Sequence, residues 1–333
     1  MSDPANGVRA FSGGARQLNI PVHALVELTH RCNLRCFHCY VDPDERPELS
    51  TEEVISLLDQ LADAGTLFLT LTGGEITLRR DLMKIVEHAR DRRFAVRLFT
   101  NATRLDEATI DRIAQLRVFD VSVSIYGASR QTHDRVTRVP GSFVRSTTAM
   151  RLLHERGIVT RLKCVLMADN YGERQGISDL ADELGAIAMF DPQVTVRNDG
   201  DATPITHRLD DDTLAEIVLN ERVHGDVPAE TPTCAAGRDT VSISPSGIVN
   251  PCVQMPFPLG DLRSETFEQA WNSPRARKMR EITFGRLSAC AACEDASYCN
   301  PCLGMNLLET GDATRPSSSV CRVARARRRG VMA

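Results

Sequence analysis

The chain has 333 residues, 42% hydrophobic and 25% charged, enough for one large domain and a smaller one of ordinary soluble composition. Its formal net charge of −4 gives no reason to expect nucleic acid as a partner. No run approaches the length of a membrane-spanning helix, and residues 1–17 are polar and glycine-rich, so neither a membrane span nor a secretory signal is expected and the protein is placed in the cytoplasm.

Residues 1–21 read as an N-terminal extension. Residues 22–197 then alternate apolar strands with amphipathic helices. A strand over 23–28 feeds a loop carrying Cys32, Cys36 and Cys39. Ser50-Thr51-Glu52-Glu53 has capping-box spacing, and Val54, Leu57, Leu58 and Leu61 recur at helical intervals behind it. The spacing then predicts strands over 67–72, 95–99, 121–125, 160–166 and 188–196. Helices over 82–90, 107–115, 146–155 and 178–184 fall between them. Strict alternation means a parallel sheet, either an open doubly wound form or a barrel. Residues 198–227 form a bridge that includes Asp199-Gly200-Asp201 and a helix over 213–219. Residues 228–333 form a second, cysteine-rich domain ending in a basic tail, Arg325 and Arg327 to Arg329, which reads as solvated.

Eleven cysteines in a chain with no secretory signal argue for metal ligation over disulfides. Three lie at 32–39, Cys164 stands alone, and seven fall between Cys234 and Cys321. Cys32, Cys36 and Cys39 are spaced C-x3-C-x2-C. Three thiolates are one short of a closed zinc site and one short of a fully ligated [4Fe–4S] cluster, so they leave a metal position open. A zinc knuckle is the plainer alternative.

This run, with Arg31, Asn33, Leu34 and Tyr40 around it, resembles the radical S-adenosylmethionine (SAM) superfamily. The resemblance implies a [4Fe–4S] cluster on the three thiolates, with the amino and carboxylate groups of SAM on its open iron. An electron from the cluster would cleave SAM to a 5′-deoxyadenosyl radical. It also implies the α/β fold: a partial (β/α)6 TIM-like barrel, with the cluster at the C-terminal strand ends where such barrels carry their chemistry, then a small, irregular, cysteine-rich iron–sulfur domain. His38, inside the loop, is assigned to the SAM side.

Gly73-Gly74-Glu75 ends the second strand and resembles the superfamily's GGE motif, which binds the SAM amino group. The glycines are read as letting backbone approach a ligand with no side chain in the way. Ile76-Thr77 follows, where relatives commonly carry Pro-Leu. Thr100-Asn101 ends the third strand like the family's Thr-Asn-Gly turn, with Ala102 in place of the glycine. Ser122 and Ser124 share one side of the fourth strand, and the resemblance suggests that Ser124 reaches the SAM ribose. A hydroxyl bonded to backbone is the alternative. Lys163 pairs with the SAM carboxylate if it faces inward and is otherwise an ordinary surface lysine. Cys164, of opposite parity, reads as a small buried hydrophobe. Tyr126-Gly127, His133-Asp134 and Pro140-Gly141-Ser142-Phe143 resemble a subgroup of peptide-modifying relatives.

The second field is spaced C-x12-G-x4-C, then C-x2-C-x5-C-x2-C, then a last cysteine, with Gly247 as the glycine. Its C-x2-C pairs suit a zinc ribbon as well as iron–sulfur. The pattern resembles the SPASM extension, which implies two auxiliary [4Fe–4S] clusters. Cys290, Cys293, Cys299 and Cys321 would hold one, and Cys234, Cys252 and Cys302 the other. No upstream cysteine offers the latter a fourth ligand. The final C-x2-C departs from the general C-x3-C.

The function these resemblances imply is a radical SAM/SPASM enzyme that modifies a ribosomally made precursor peptide. Hydrogen abstraction would lead to an oxidative modification or crosslink, with auxiliary clusters accepting the electron and a low-potential donor supplying the first one. Rivals sharing the chemistry are a quinone-cofactor enzyme, a sulfatase formylglycine maturase and a haem-pathway enzyme. A non-catalytic iron–sulfur electron carrier is the rival from another class. With only residues 1–21 before the first domain, leader recognition is expected from a separate leader-peptide-binding protein or from the SPASM surface. The bond formed and the residue handling substrate protons stay open.

Overall fold

The alternating apolar residues of the first half build six parallel strands: β1 (His23–Thr29), β2 (Phe68–Gly73), β3 (Ala95–Thr100), β4 (Asp120–Ser124), β5 (Thr160–Val165) and β6 (Ile187–Asp191). The computed structural model describes residues 4–41, 46–218, 228–290 and 293–332. Helix α1 (Pro4–Leu18) occupies the N-terminal extension. Helices α2 (Thr51–Asp63), α3 (Leu82–Asp91), α4 (Glu107–Gln115), α5 (Arg130–Thr137), α6 (Ser142–Glu155) and α7 (Arg174–Glu183) connect the strands. Leu69, Leu71, Val96, Leu98, Val121, Val123 and Leu162 face these helices and are fully buried, together with Cys164. The Ser50 capping box forms as expected: the Ser50 hydroxyl accepts from the Glu53 N–H, and the Glu53 carboxylate accepts from the Ser50 N–H at 2.7 Å.

Among the described residues the sheet does not close. Its strand order is β6-β5-β4-β3-β2-β1-β7-β8-β9, so β6 is one edge and the barrel is partial. On the other side β7 (Thr240–Ile243) pairs parallel with β1, and β8 (Ile248–Asn250) and β9 (Gly260–Asp261) continue antiparallel. The cysteine-rich half is therefore joined to the barrel through the strand that leads into the first cysteine loop. The bridge helix is α8 (Asp211–Ile217); residue 219, included in the helix expected there, lies outside the described residues. Four further helices follow: α9 (Phe267–Trp271), α10 (Pro274–Arg280), α11 (Leu303–Thr310) and α12 (Ser318–Met332). Among the described residues no helix is long and apolar enough to cross a membrane.

The segment resembling peptide-modifying relatives has a structural task. Asp134, near the end of α5, accepts from the N–H groups of Gly141 (2.6 Å) and Phe143 (2.9 Å) and from the Ser142 hydroxyl (2.9 Å), so it caps α6 from outside. The His133 Nδ1 accepts from the Tyr126 N–H at 3.1 Å, and the two rings stack. Asp134→Ala should therefore cost about 1–3 kcal/mol by orphaning the start of α6. The check is thermal denaturation: a melting temperature lowered by several degrees, against no change if the cap is dispensable.

Candidate functional site

Everything placed at the C-terminal ends of β1 to β3 is tied to the first cysteine loop. The loop is fastened by backbone bonds from Arg35 N–H to Thr137 O (3.0 Å) and from Phe37 N–H to Val136 O (3.4 Å). Cys32 and Cys39 are exposed and Cys36 is half-buried, all three as free thiols. The Leu34 N–H points at the Cys32 sulfur at 3.4 Å, and the Asn101 amide lies 3.9 Å from it. Asn101 also donates to the Asn33 Oδ1 (3.0 Å), while the Asn33 amide donates to the Thr103 hydroxyl (2.8 Å). This Asn33–Asn101–Thr103 network ties the third strand end to the loop. Only the position of Asn33 between two thiols hinted at it in the sequence. Ala102, where relatives carry glycine, holds a left-handed φ of 59° and is fully buried.

The two glycines let the backbone of the first cysteine loop lie directly against the end of β2. Gly73 has φ 138°, and a Cβ there would lie 2.2 Å from the Thr29 carbonyl oxygen. A Cβ on Gly74 would lie 2.4 Å from the Arg31 oxygen and 2.6 Å from the His30 oxygen. The space is filled by the chain's own loop backbone, and Gly74 and Glu75 donate their N–H groups to the Thr29 (2.7 Å) and Arg31 (2.9 Å) carbonyls. Glu75 is fully buried. Its carboxylate accepts from the Thr77 N–H and hydroxyl, from the Thr100 hydroxyl at 2.6 Å and from the Asn101 N–H at 2.7 Å. It knits two strand ends together and has four donors of its own.

His38 is buried edge-on to Tyr126 with ring centroids 4.5 Å apart, and among the described residues its Nδ1 has no hydrogen-bond partner. Burial holds its pKa down near 4, so the ring is neutral. Ser124 reaches the Tyr126 hydroxyl. Lys163 faces the barrel interior with its Nζ 3.8 Å from the centre of the Phe99 ring. Tyr40 was noted in the sequence only as a neighbour of the loop. Burial raises its pKa well above the usual phenol value, and the charges of Glu27, Cys39 and Cys252 add to the rise. It thus stands between the two cysteine fields.

Those fields form three groups. In the first, burial and the mutual repulsion of Cys32, Cys36 and Cys39 push the Cys36 thiol far up. In the second, Cys234, Cys252 and Cys302 act on one another, and burial foremost lifts Cys252 to about 11. In the third, Cys299 rises to about 12 through burial, with Cys290, Cys321 and Cys293 adding to it. Among the described residues no three His, Cys, Asp or Glu side chains converge on a single metal ion. One thiol in each group, Cys36, Cys252 and Cys299, is held protonated by burial and by neighbouring sulfurs, which fits a ligand that brings positive charge and takes up the thiolate form, as iron does. The unpartnered His38 nitrogen beside the first group fits a ligand lying over the loop.

Residues 26–181 match the family model of the radical SAM superfamily, and residues 234–294 match SPASM, described as an iron–sulfur cluster-binding domain. The chain belongs to the radical SAM superfamily. It is a radical SAM/SPASM enzyme, and the SPASM match includes the strands that extend the barrel sheet past β1. Among curated relatives, the subtilosin biosynthesis protein AlbA of Bacillus subtilis is 28% identical over 311 residues, covering 87% of this chain and 69% of AlbA. An AdoMet-dependent heme synthase of Methanosarcina barkeri is 27% identical over 331 residues, 88% of this chain and 94% of that protein. In fold, the enzyme is similar to Streptococcus suis SuiB, solved bound to S-adenosylmethionine (TM-score 0.73, 17% identity, 96% of this chain and 83% of SuiB). It is also similar to SuiB bound to its precursor peptide SuiA, with a TM-score of 0.72 and 17% identity, over 96% of this chain and 82% of SuiB.

Proposed function

We propose that this radical SAM enzyme matures a ribosomally made peptide. The barrel is residues 22–197, the bridge 198–227 and the auxiliary domain 228–333. Cys32, Cys36 and Cys39 hold the [4Fe–4S] cluster that takes SAM, while His38, Asn101, Ser124 and the Gly73-Gly74-Glu75 strand end form the wall on its SAM side. Cys290, Cys293, Cys299 and Cys321 hold one auxiliary cluster, and Cys234, Cys252 and Cys302 the other. When bound, the first cluster and SAM supply a carbon-centred radical able to take hydrogen from an unactivated carbon. The chain's own contribution is position: Glu75 and Asn101 fix the loop, and Tyr126, itself stacked on His133, packs edge-on against the buried His38 ring. The electron enters from a low-potential donor in the cytoplasm, and a separate protein presents the leader where one is required.

The observation that carries the peptide reading is the match to AlbA, a bacteriocin biosynthesis protein, over most of the chain. Among the described residues β6 pairs with β5 alone, and that free edge supports it by leaving the partial barrel open to a chain-like substrate. The heme-synthase match favours a second reading, a haem-pathway intermediate. Anaerobic co-expression with each short reading frame beside the gene separates them. The peptide reading expects one product lighter by two hydrogens per bond formed, by mass spectrometry. No modified peptide, with turnover of a porphyrin-pathway carboxylate instead, would favour the second reading.

A further inference from the structure

The chain has a net charge of −4, yet one helix of its cysteine-rich half carries only positive charge. Helix α10 holds Arg275, Arg277, Lys278 and Arg280 and no acid. The first three are exposed and Arg280 is half-buried. Arg238, from the turn after Cys234, joins them by donating to the Arg280 carbonyl. Among the described residues none of these five is in an ion pair with a carboxylate. The partners of the arginines are carbonyls and rings. Arg277 bonds to the Asn272 carbonyl, and Arg280 bonds to the carbonyls of Gly237 (2.6 Å) and Trp271 (2.8 Å). Arg275 lies over the Phe257 ring at 4.7 Å and Arg280 over the Trp271 ring at 4.5 Å. Asp239, buried and held by Arg16 at 3.2 Å, also acts on Arg238, and the exposed Glu268 and Glu281 are the acids next to α10 along the chain. Six cations thus stand against three carboxylates.

Helix α12 is the other arginine-rich helix of this half, and it is neutralised from within. Arg322 pairs with Asp211 at 2.6 Å, Arg328 with Glu294 and Asp295 at 2.8 and 3.1 Å, and Arg329 with Asp212 at 3.4 Å. The counter-charges of α12 belong to the protein; those of α10 are left to a partner. An exposed field of one sign draws in a partner of the other and orients it.

The inner face of α10 lies on the second thiol group. Met279 packs with Met255, Leu287 and Leu303 in a small core that Cys234 and Cys252 border. The Arg280 bond fastens the helix to Gly237, and the Gly237 N–H bonds to the Pro251 carbonyl at 3.1 Å, beside Cys252. One short helix therefore covers two of the three thiols with one face and turns unpaired cations to solvent with the other.

We infer that the outer face of α10, with Arg238, is the docking surface of an acidic one-electron carrier protein serving the iron–sulfur centre at Cys234, Cys252 and Cys302. The inference rests on the reading of that group as an auxiliary centre. In delivery the carrier is oxidised by one electron and the centre is reduced by one.

Binding and reduction of the iron-loaded enzyme by a purified, strongly acidic flavodoxin test it. Wild type is compared with an α10 variant, Arg275→Gln, Arg277→Gln and Lys278→Gln together. The control removes as many charges from α12: Arg325→Gln, Arg328→Gln and Arg329→Gln. The α10 variant should bind the flavodoxin at least about fivefold more weakly and be reduced by it correspondingly more slowly. Its reduction by dithionite, which needs no docked protein, should change far less. Raising salt from about 50 to about 300 mM should weaken wild-type binding and narrow the difference. The α12 variant should match wild type. Iron per chain is measured throughout, and Lys278→Gln alone, exposed and without a side-chain partner among the described residues, should show a smaller loss in the same direction if the triple variant loads poorly. Unchanged binding in the α10 variants, an equal loss in the α12 variant, or a short RNA that binds as tightly as the flavodoxin would each overturn the inference. Iron that dithionite cannot reduce would remove the auxiliary-centre reading and the inference with it. Reducible iron with no effect of α10 would leave that reading standing and remove the docking surface alone.

Discussion

Replacing Cys32, Cys36 and Cys39 together by alanine should abolish SAM cleavage while leaving the iron of the C-terminal half in place. The three thiols act on one another, and the two later groups do likewise among themselves. The loop's fastening to Thr137 and Val136 is made by backbone atoms, so losing the sulfurs removes ligands and not the fold. The contacts that disappear with them are those of the Leu34 N–H and the Asn101 amide with the Cys32 sulfur and of the Val41 N–H with the Cys39 sulfur. Iron and sulfide per chain, together with 5′-deoxyadenosine formed from SAM and dithionite, check the prediction. Loss of all iron would mean that the two halves do not load independently.

Gly74→Val should be nearly as severe, and for a reason that lies in the protein itself. A β-carbon there would press on the carbonyl oxygens of His30 and Arg31 at 2.6 and 2.4 Å, and backbone cannot swing aside as a long side chain can. The valine would push the cysteine loop off the end of β2 and break the Glu75 N–H bond to Arg31. Overpacking of this kind costs about 1–3 kcal/mol or more, and the displaced loop should weaken SAM affinity at least about tenfold. Gly172→Ala is the control, since a β-carbon there meets nothing within 4 Å. Equilibrium binding of SAM to the two variants checks it. Unchanged affinity in Gly74→Val would mean that the strand end does not position the site.

Much of the barrel was legible because β-α alternation and the Ser50 capping box are local signals. The packing of the cysteine loop on Gly73 and Gly74 was not, because sequence shows that a side chain is missing but not which backbone lies beside it. The strand expected over 188–196 stops at Asp191, where Pro192 offers no N–H to a ladder. Helix α5, mostly polar in Arg130–Thr137, shows too weak an apolar stripe to be read in advance. Helix α6 starts at Ser142, earlier than the residue 146 expected from its apolar spacing, because Asp134 caps it from the preceding helix. The union of β7 with β1 is a contact between residues more than two hundred apart, and no local pattern encodes such a partner choice. The place of Tyr40, acted on by Cys39 of one cysteine field and Cys252 of the other, required the fold.

The most direct test is anaerobic. The protein is reconstituted with iron and sulfide, given SAM and dithionite with the co-encoded peptides present, and 5′-deoxyadenosine is quantified. A radical SAM enzyme built on Cys32, Cys36 and Cys39 should form it over many minutes, and the triple alanine variant should form none. Full iron loading with no 5′-deoxyadenosine in any of these mixtures would contradict the assignment and leave an iron–sulfur electron carrier.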